Sequence, residues 1–130
     1  MPWEMSRQGL LKHLINEQMN TRMETVDAYM QIIPPGSRSG KHRHLAEECL
    51  YVLEGRGTTE IWSGDNVNRK QTFEWQQGSL FAIPLNTRHR LVNGANQPAI
   101  FLAVTSAPLM IDLLHNMPFV LGCHYKFADR

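Results

Sequence analysis

The sequence predicts an all-β fold in which short strands close into a barrel. Short apolar runs recur along most of the chain between Gly, Pro and Asn clusters, a pattern typical of barrels and sandwiches. His42 and His44 project to one face of a strand, and Glu48, at an even offset, returns to that face. His89 lies 41 residues beyond Glu48, so it can meet the other three side chains only if the sheet closes on itself.

Length and composition suit one domain. The chain has 130 residues, of which 42% are hydrophobic, enough for a single closed core. We expect one domain over residues 1–130, with a barrel core at about 24–107, an N-terminal arm or helix at 1–23, and a C-terminal helix and tail at 108–130. No internal repeat or low-complexity linker appears.

The segment Gln8–Asn20 precedes the predicted barrel. Its apolar residues follow a spacing nearer to the helical period than to alternation, and they are Leu10, Leu11, Leu14, Ile15 and Met19. A short helix is the preferred interpretation. An extended arm that crosses to a partner subunit is the alternative, because the pattern is too short to decide between them.

Strands are predicted where β-forming residues run between turn signals. The first, within Glu24–Ile33, ends at the sharp stop Pro34-Pro35-Gly36, and Gly55-Arg56-Gly57 turns the chain into a later hairpin. The other predicted strands are Cys49–Leu53, Thr58–Trp62, Lys70–Trp75, Ser79–Ile83, His89–Val92 and Ala99–Ser106.

The C-terminal part is predicted to lie outside the barrel. Pro108 opens a short helix at Leu109–His115, and the apolar-aromatic segment Phe119–Phe127 is expected to pack on the barrel or on a partner. Together with Leu10–Ile15, this segment gives apolar surface that a monomer would have to cover. We therefore expect a homodimer.

The candidate ligands lie in two motifs. The first is Gly36-x5-His42-x-His44-x3-Glu48-x6-Gly55, and the second is Gly78-x5-Pro84-x-Asn86-x2-His89-x3-Asn93. Both resemble the motifs of the cupin superfamily, and the chain is similar to the small single-domain members, whose fold is a double-stranded β-helix, or jelly-roll barrel. The second motif departs from the family at Asn86, where glycine is usual. Asparagine is the next residue most tolerant of a left-handed backbone, so we expect the turn to be intact.

The resemblance implies a divalent metal held by His42, His44, Glu48 and His89. Three imidazoles and one carboxylate suit several first-row ions, and Fe(II) is the preferred assignment, with Mn, Ni, Zn and Cu also compatible. Four protein ligands on a six-coordinate ion leave two positions for exogenous ligands. A tetrahedral zinc ion would instead close the site and make it structural.

Substrate-binding residues are predicted around this site. Arg38 and Arg88 precede the ligand strands, where a guanidinium can bind a substrate carboxylate through two hydrogen bonds. Tyr29 and Gln31 share one face of their strand. The candidates for an apolar wall are Leu50, Val52 and Phe81 or Leu80. Such a pocket suits an aromatic substrate better than a sugar.

The stretch 33–48 resembles cupins found among gentisate-dioxygenase-like, ring-cleaving proteins. This resemblance implies a non-heme iron oxygenase acting on a small, aromatic, oxygenated substrate. Two alternatives stay open: a non-catalytic metal- and small-molecule-binding module, and a metal-dependent isomerase or lyase. Turnover separates the first alternative from an enzyme, and oxygen dependence separates the second from an oxygenase.

The net charge and the N-terminal sequence limit which partners and which cellular location we expect. Thirteen Lys and Arg against twelve Asp and Glu give a net charge of +1, which argues against nucleic-acid and anionic-membrane binding. A small molecule is the expected partner. The chain begins Met1-Pro2-Trp3-Glu4, without a basic segment followed by an apolar one, and it has two cysteines, so we expect a cytoplasmic protein.

Residues that alternate with the ligands are predicted to face away from the metal. Lys41 and Arg43 are expected on a solvated outer face, and Glu47 is expected to point outward. Cys49 follows Glu48 and therefore points away from the site. We expect it to be a buried free thiol and not a ligand.

Overall fold

The computed structural model describes residues 4–6, 9–15, 26–63 and 68–122. Nine strands and two short helices are formed in these ranges. The strands are β1 (Glu4–Ser6), β2 (Gly9–Ile15), β3 (Asp27–Ile33), β4 (Glu48–Glu54), β5 (Arg56–Trp62), β6 (Lys70–Gln76), β7 (Leu80–Ile83), β8 (Arg88–Val92) and β9 (Ala99–Thr105). The helices are α1 (Ala107–Leu114) and α2 (Met117–Leu121).

The strands form two antiparallel sheets of a jelly roll. The larger sheet has the order β1-β2-β3-β9-β4-β7, and the smaller has the order β6-β5-β8. Strands β3 and β4 are therefore not neighbours, since β9 lies between them and pairs with both. The all-β, jelly-roll prediction is confirmed, and every predicted strand from Glu24–Ile33 onward is present with its ends shifted by at most a few residues.

The core lies between the sheets and is built by strand alternation. In β9, for example, Ala99, Phe101 and Ala103 face inward and are fully buried, whereas Val104 is exposed. The inward side chains form one continuous apolar cluster, whose buried members are Tyr29, Ile33, Leu50, Val52, Trp75, Ile83, Leu91, Ala99, Phe101 and Ala103. The half-buried Ile61, Phe73 and Phe81 pack against it.

The preferred helix at Gln8–Asn20 is wrong for the part that the structure describes. Residues Gly9–Ile15 form β2, which pairs along β3 with Leu10 opposite Ile32 and Leu11 opposite Gln31. The deciding interaction is a ladder of hydrogen bonds to a strand more than ten residues away, which the local spacing of leucines does not encode. The segment is extended, as in the alternative, but it pairs with its own chain. Residues 16–20 lie outside the described ranges.

The two helices cover one part of the barrel. Helix α1 confirms the predicted C-terminal helix, and α2 overlaps the start of the segment Phe119–Phe127 that was expected to pack on the barrel or on a partner. Val120 of α2 is fully buried against Leu45, whose backbone N–H donates to the Val120 carbonyl at 2.7 Å. Residues 123–127 of the predicted apolar segment lie outside the described ranges. Neither helix in the described part of the chain is long and apolar enough to span a bilayer.

Candidate metal centre

Backbone pairing brings the two motifs together. The segment 37–44 runs antiparallel to β8, and His42 and His89 form a reciprocal bridge in which each N–H donates to the other's carbonyl, at 3.1 and 2.9 Å. The same segment is tied at its start by the Asn93 N–H, which donates to the Ser37 carbonyl at 2.8 Å. The bridge places two histidines from distant parts of the sequence directly opposite each other.

The turn before β8 holds the third histidine in place. The backbone N–H of Asn86 donates to the His44 carbonyl at 2.9 Å. Asn86 has φ of 59°, in the left-handed region, and its side chain is fully buried. The prediction that asparagine replaces glycine without loss of the turn is confirmed, because asparagine tolerates this conformation better than other residues with a side chain.

The three imidazoles lie close together in the barrel interior. One ligand atom from each of His42, His44 and His89 falls within 4.8 Å of the other two, and all three residues are buried. Their ring centroids are 4.2 to 5.5 Å apart. The Glu48 Oε2 atom lies 3.1 Å from the Nε2 atom of His44, so the carboxylate borders the same volume.

Backbone carbonyls fix which nitrogen each histidine offers. The Nδ1 atoms of His42, His44 and His89 face the carbonyls of Gly40, Ala46 and Thr87 at 2.7, 3.2 and 2.8 Å. A carbonyl can only accept, so each Nδ1 carries the proton and donates it. In a neutral ring held in this way the lone pair lies on Nε2, which is the form in which a histidine binds a metal ion.

Burial sets the protonation of the site. It raises the pKa of the Glu48 carboxyl from 4.5 to about 8. Burial, followed by the charge of neighbouring His42, lowers the pKa of His44 from 6.5 to about 4, and the same causes lower the pKa of His89 well below its usual value. In the metal-free protein at neutral pH, these two imidazoles are therefore neutral and Glu48 carries a proton.

The donor set suits a divalent metal ion. Neutral imidazole nitrogens and a carboxylate oxygen are borderline to hard ligands that together accommodate iron, manganese, nickel, copper or zinc. Without a cation or a proton between them, the lone pairs of His44 Nε2 and Glu48 Oε2 would repel each other at 3.1 Å. A bound cation relieves this repulsion and compensates the burial of the carboxylate.

A narrow interior cleft, with an empty volume of about 190 Å³, lies beside the cluster. It is lined by His42, His89 and Glu48 and by the remaining side chains Gln31, Leu50, Ile83 and Leu91. Of the wall residues predicted from the sequence, Leu50 lines the cleft and Val52 is buried in the core. Of the alternatives Phe81 and Leu80, Phe81 faces inward and Leu80 is exposed. Ile83 and Leu91 were missed, although alternation along the strands gave the signal: Ile83 lies two residues after Phe81, and Leu91 lies two residues after His89.

The four predicted substrate residues divide into two pairs. Gln31 lines the cleft, and the Tyr29 hydroxyl donates to Glu48 Oε1. Arg38 is exposed and forms a backbone bridge with Val92, and Arg88 is the first residue of β8, on the opposite face from His89. Neither arginine lines the cleft, so their substrate-binding role stays a prediction.

Two expectations about residues beside the ligands are wrong. Arg43 is only 6% exposed, and two residues further along the segment Leu45 packs against Val120 of α2. Cys49 is a free thiol that points away from the site as predicted, but it is exposed, since no described element covers the outer face of β4 at this position. Lys41 is exposed as expected and places its Nζ atom 4.1 Å from the centre of the Trp62 ring.

Several known proteins are similar to this chain in sequence or in fold. Auxin-binding protein T85 of Nicotiana tabacum is 31% identical over 106 residues, which cover 78% of this chain and 57% of that protein. A 1-hydroxy-2-naphthoate 1,2-dioxygenase of Nocardioides sp. is 25% identical over 74% of this chain and 24% of its own length. The chain spans about half the length of the curated auxin-binding relatives it matches.

A structure of Bacillus subtilis oxalate decarboxylase, concerned with its Mn(II) centres, superposes with a TM-score of 0.65. Its sequence identity is 21%, and the match covers 78% of this chain and 26% of that one. The likeness shows a shared fold. The profile of the Cupin domain matches residues 29–105, from the middle of β3 to the end of β9. The chain therefore belongs to the cupin family.

Proposed function

We propose that this cupin holds one divalent metal ion through His42, His44, Glu48 and His89, with Fe(II) as the preferred ion. The observation that carries the proposal is the convergence of three buried imidazoles whose Nδ1 atoms are engaged by backbone carbonyls. The Glu48 carboxylate supplies the fourth ligand. Mn, Ni, Zn and Cu suit the same donors, and manganese occurs in the structurally similar oxalate decarboxylase.

The reaction that we propose is oxygenation of a small aromatic substrate that carries a hydroxyl or carboxylate. Bound Fe(II) would supply the redox chemistry and two coordination positions that the protein leaves open. A distant relative from Nocardioides is a dioxygenase of 1-hydroxy-2-naphthoate, an aromatic hydroxy acid. The cleft beside the ligands has a largely aliphatic lining, and its side chains would have to move apart to admit an aromatic ring.

The chain's own residues would orient the substrate and exclude water. Leu50, Ile83 and Leu91 present an apolar wall that can pack on an aromatic ring. Gln31 is 1% exposed and faces the same cleft, where its amide can hydrogen-bond to a substrate oxygen. Holding the reactants in a dry, fixed geometry is the contribution that a protein makes when the metal supplies the chemistry.

A second candidate function is metal-dependent binding without turnover. The relatives from tobacco are auxin-binding proteins, and the match to T85 extends over 78% of this chain. A binding module would use the same cleft and the same four ligands. Turnover distinguishes the two functions. A metal-dependent isomerase or lyase is distinguished from the oxygenase by activity in the absence of oxygen.

We further propose that the protein is a homodimer. The outer face of the larger sheet carries exposed apolar residues, with Tyr51 41%, Leu80 67% and Val104 40% exposed. Tyr51 and Leu80 are paired across β4 and β7, so they form one continuous surface. Such a face is expected to be covered by another copy. The cytoplasmic location predicted from the N-terminal sequence stays a prediction.

Replacing His44 or His89 with alanine should abolish tight metal binding. His44→Ala or His89→Ala removes one of four donors, and we expect the metal affinity to fall by at least about 100-fold, since loss of an indirect partner alone costs 10- to 100-fold. Metal content after purification without chelator, measured by elemental analysis, tests this expectation. The matched control is His115→Asn, which removes an exposed imidazole outside the site and suits the left-handed backbone there. Full metal retention in both site variants would refute the assignment.

Metal binding at neutral pH should release a proton from Glu48. The pKa of this carboxyl is raised from 4.5 to about 8, so the group is protonated in the metal-free protein at pH 7 and must ionise to bind a cation. We expect release of about one proton per chain at pH 7, declining to none as pH rises well above 8. Calorimetric titration with Zn²⁺ in buffers of different ionisation enthalpy measures this number. The variant Glu48→Gln should release none, and equal release from wild type and variant would contradict the expectation.

Oxygen consumption tests the proposed reaction. We expect the Fe(II)-reconstituted protein to consume oxygen in the presence of a suitable member of a panel of catechols, gentisate and hydroxylated benzoates. Uptake should be absent in His44→Ala, because the metal is lost. Binding of a panel member to the metal-loaded protein without oxygen uptake would favour the binding module. Anaerobic conversion of such a compound would favour the isomerase or lyase.

Light scattering tests the dimer. We expect a mass of about twice the 14.9 kDa chain at micromolar concentration. Leu80→Lys places a charge in the exposed apolar face and should shift the protein toward the monomer. Thr72→Lys adds the same charge at an exposed position of the smaller sheet and should leave the mass unchanged. A stable wild-type monomer would contradict the proposal.

A further inference from the structure

Tyr29 contacts the metal site from a strand that is not adjacent to the ligand it touches. Tyr29 lies on β3 and Glu48 on β4, and β9 separates these strands. In the register of the sheet, Tyr29 stands opposite Ala103, and Ala103 stands opposite Leu50. The Tyr29 side chain therefore crosses the inner face of β9 to donate its hydroxyl proton to Glu48 Oε1.

The residue that Tyr29 crosses is small. Ala103 is fully buried, and it follows Phe101 on the inner face of the same strand. A bulkier side chain at position 103 would occupy the space between Tyr29 and Glu48, because inward side chains of neighbouring strands stand about 5 Å apart. The alanine leaves the route to the carboxylate open.

The two oxygens of Glu48 have different partners. Oε1 accepts from Tyr29, and Oε2 lies 3.1 Å from His44 Nε2 at the edge of the histidine cluster. A tyrosine hydroxyl bound to one oxygen reduces the electron density that this oxygen can offer to a cation, and it fixes the rotation of the carboxylate about its last bond. Only Oε2 is then presented to the centre.

We propose that Tyr29 is a positioning residue that holds Glu48 in single-oxygen coordination. A carboxylate that binds through both oxygens takes two positions around an ion, whereas one that binds through Oε2 alone takes one. Tyr29 thus keeps a coordination position available for an exogenous ligand. The inference rests on the proposed metal binding by Glu48 and the three histidines, and it assigns Tyr29 to the support of a ligand in place of direct contact with substrate.

The test compares Tyr29→Phe with wild type in the metal-loaded protein, without substrate. Phenylalanine keeps the buried ring and removes only the hydroxyl, so the fold should persist, as checked by circular dichroism. We expect Mn²⁺ affinity to fall about 10- to 100-fold, as is usual when a ligand loses its supporting hydrogen bond. In the infrared difference spectrum between the Zn²⁺-loaded and metal-free protein, the separation of the two carboxylate stretches should narrow, which is the signature of two-oxygen binding.

The matched control is Tyr51→Phe, which removes the hydroxyl of an exposed tyrosine on the outer face of β4 and should change neither readout. Ala103→Val gives a second variant that retains Tyr29 but obstructs its route, and it should narrow the stretch separation in the same direction. The inference would be overturned if Tyr29→Phe changed neither the Mn²⁺ affinity nor the separation of the carboxylate stretches. If Tyr29→Phe does not fold, an unchanged stretch separation in Ala103→Val would overturn it.

Failure of the proposed function gives a different result. A wild-type protein that binds neither Mn²⁺ nor Zn²⁺ would remove the metal centre itself, and with it the role of Tyr29. A wild-type protein that binds these ions but consumes no oxygen with Fe(II) would remove the oxygenase proposal alone. In that case the affinity and infrared measurements still decide the role of Tyr29.

Discussion

The reciprocal backbone bridge between His42 and His89 is the constraint on which the rest of the site depends. It aligns the segment 37–44 with β8 and so fixes the relative position of two motifs that are separated by the whole β4–β7 region. The alternation of side chains then decides which residues face the interior. A slip of one residue in this pairing would turn His89 outward and bring Arg88 or Arg90 into the barrel, so the register and the donor set are specified together.

Placing three imidazoles and a carboxylate together in the barrel interior is electrostatically unfavourable, and backbone groups close in sequence offset part of this cost. Each histidine donates a hydrogen bond from Nδ1 to a backbone carbonyl only two residues away. The Nδ1 side of each ring therefore has its hydrogen-bond partner within the local segment. Their Nε2 lone pairs remain directed at a shared volume together with Glu48. Burial raises the pKa of Glu48 and lowers that of His44, so in the absence of a cation a proton on the carboxyl can bridge to His44 Nε2. A divalent ion that replaces this proton compensates the negative charge of the ionised, buried carboxylate.

Local patterns predicted those features that depend on alternation and turn geometry. Such patterns predicted the strands from β3 to β9 and the left-handed backbone of Asn86. They also predicted that His42, His44 and Glu48 point inward. The features that were missed depend on partners distant in sequence: β2 is a strand because β3 pairs with it, and Leu45 of the ligand segment is buried against Val120 of α2. The contact of Tyr29 with Glu48 crosses an intervening strand, and the sequence gives no local signal for it.

The inward-facing residues of β9 contact two different parts of the barrel interior: the apolar core at Phe101 and the candidate metal site near Ala103. At one end Phe101 packs edge-to-face on Trp75, with ring centroids 4.8 Å apart, and both rings belong to the buried apolar cluster. Two residues later Ala103 contributes only a methyl group, and the space that it leaves is crossed by Tyr29 on its way to Glu48. A strand that alternated large residues throughout would fill both ends. The change from phenylalanine to alanine along one face therefore lets the same small barrel combine a rigid apolar core with a polar site, and the rigidity of the first supports the geometry of the second.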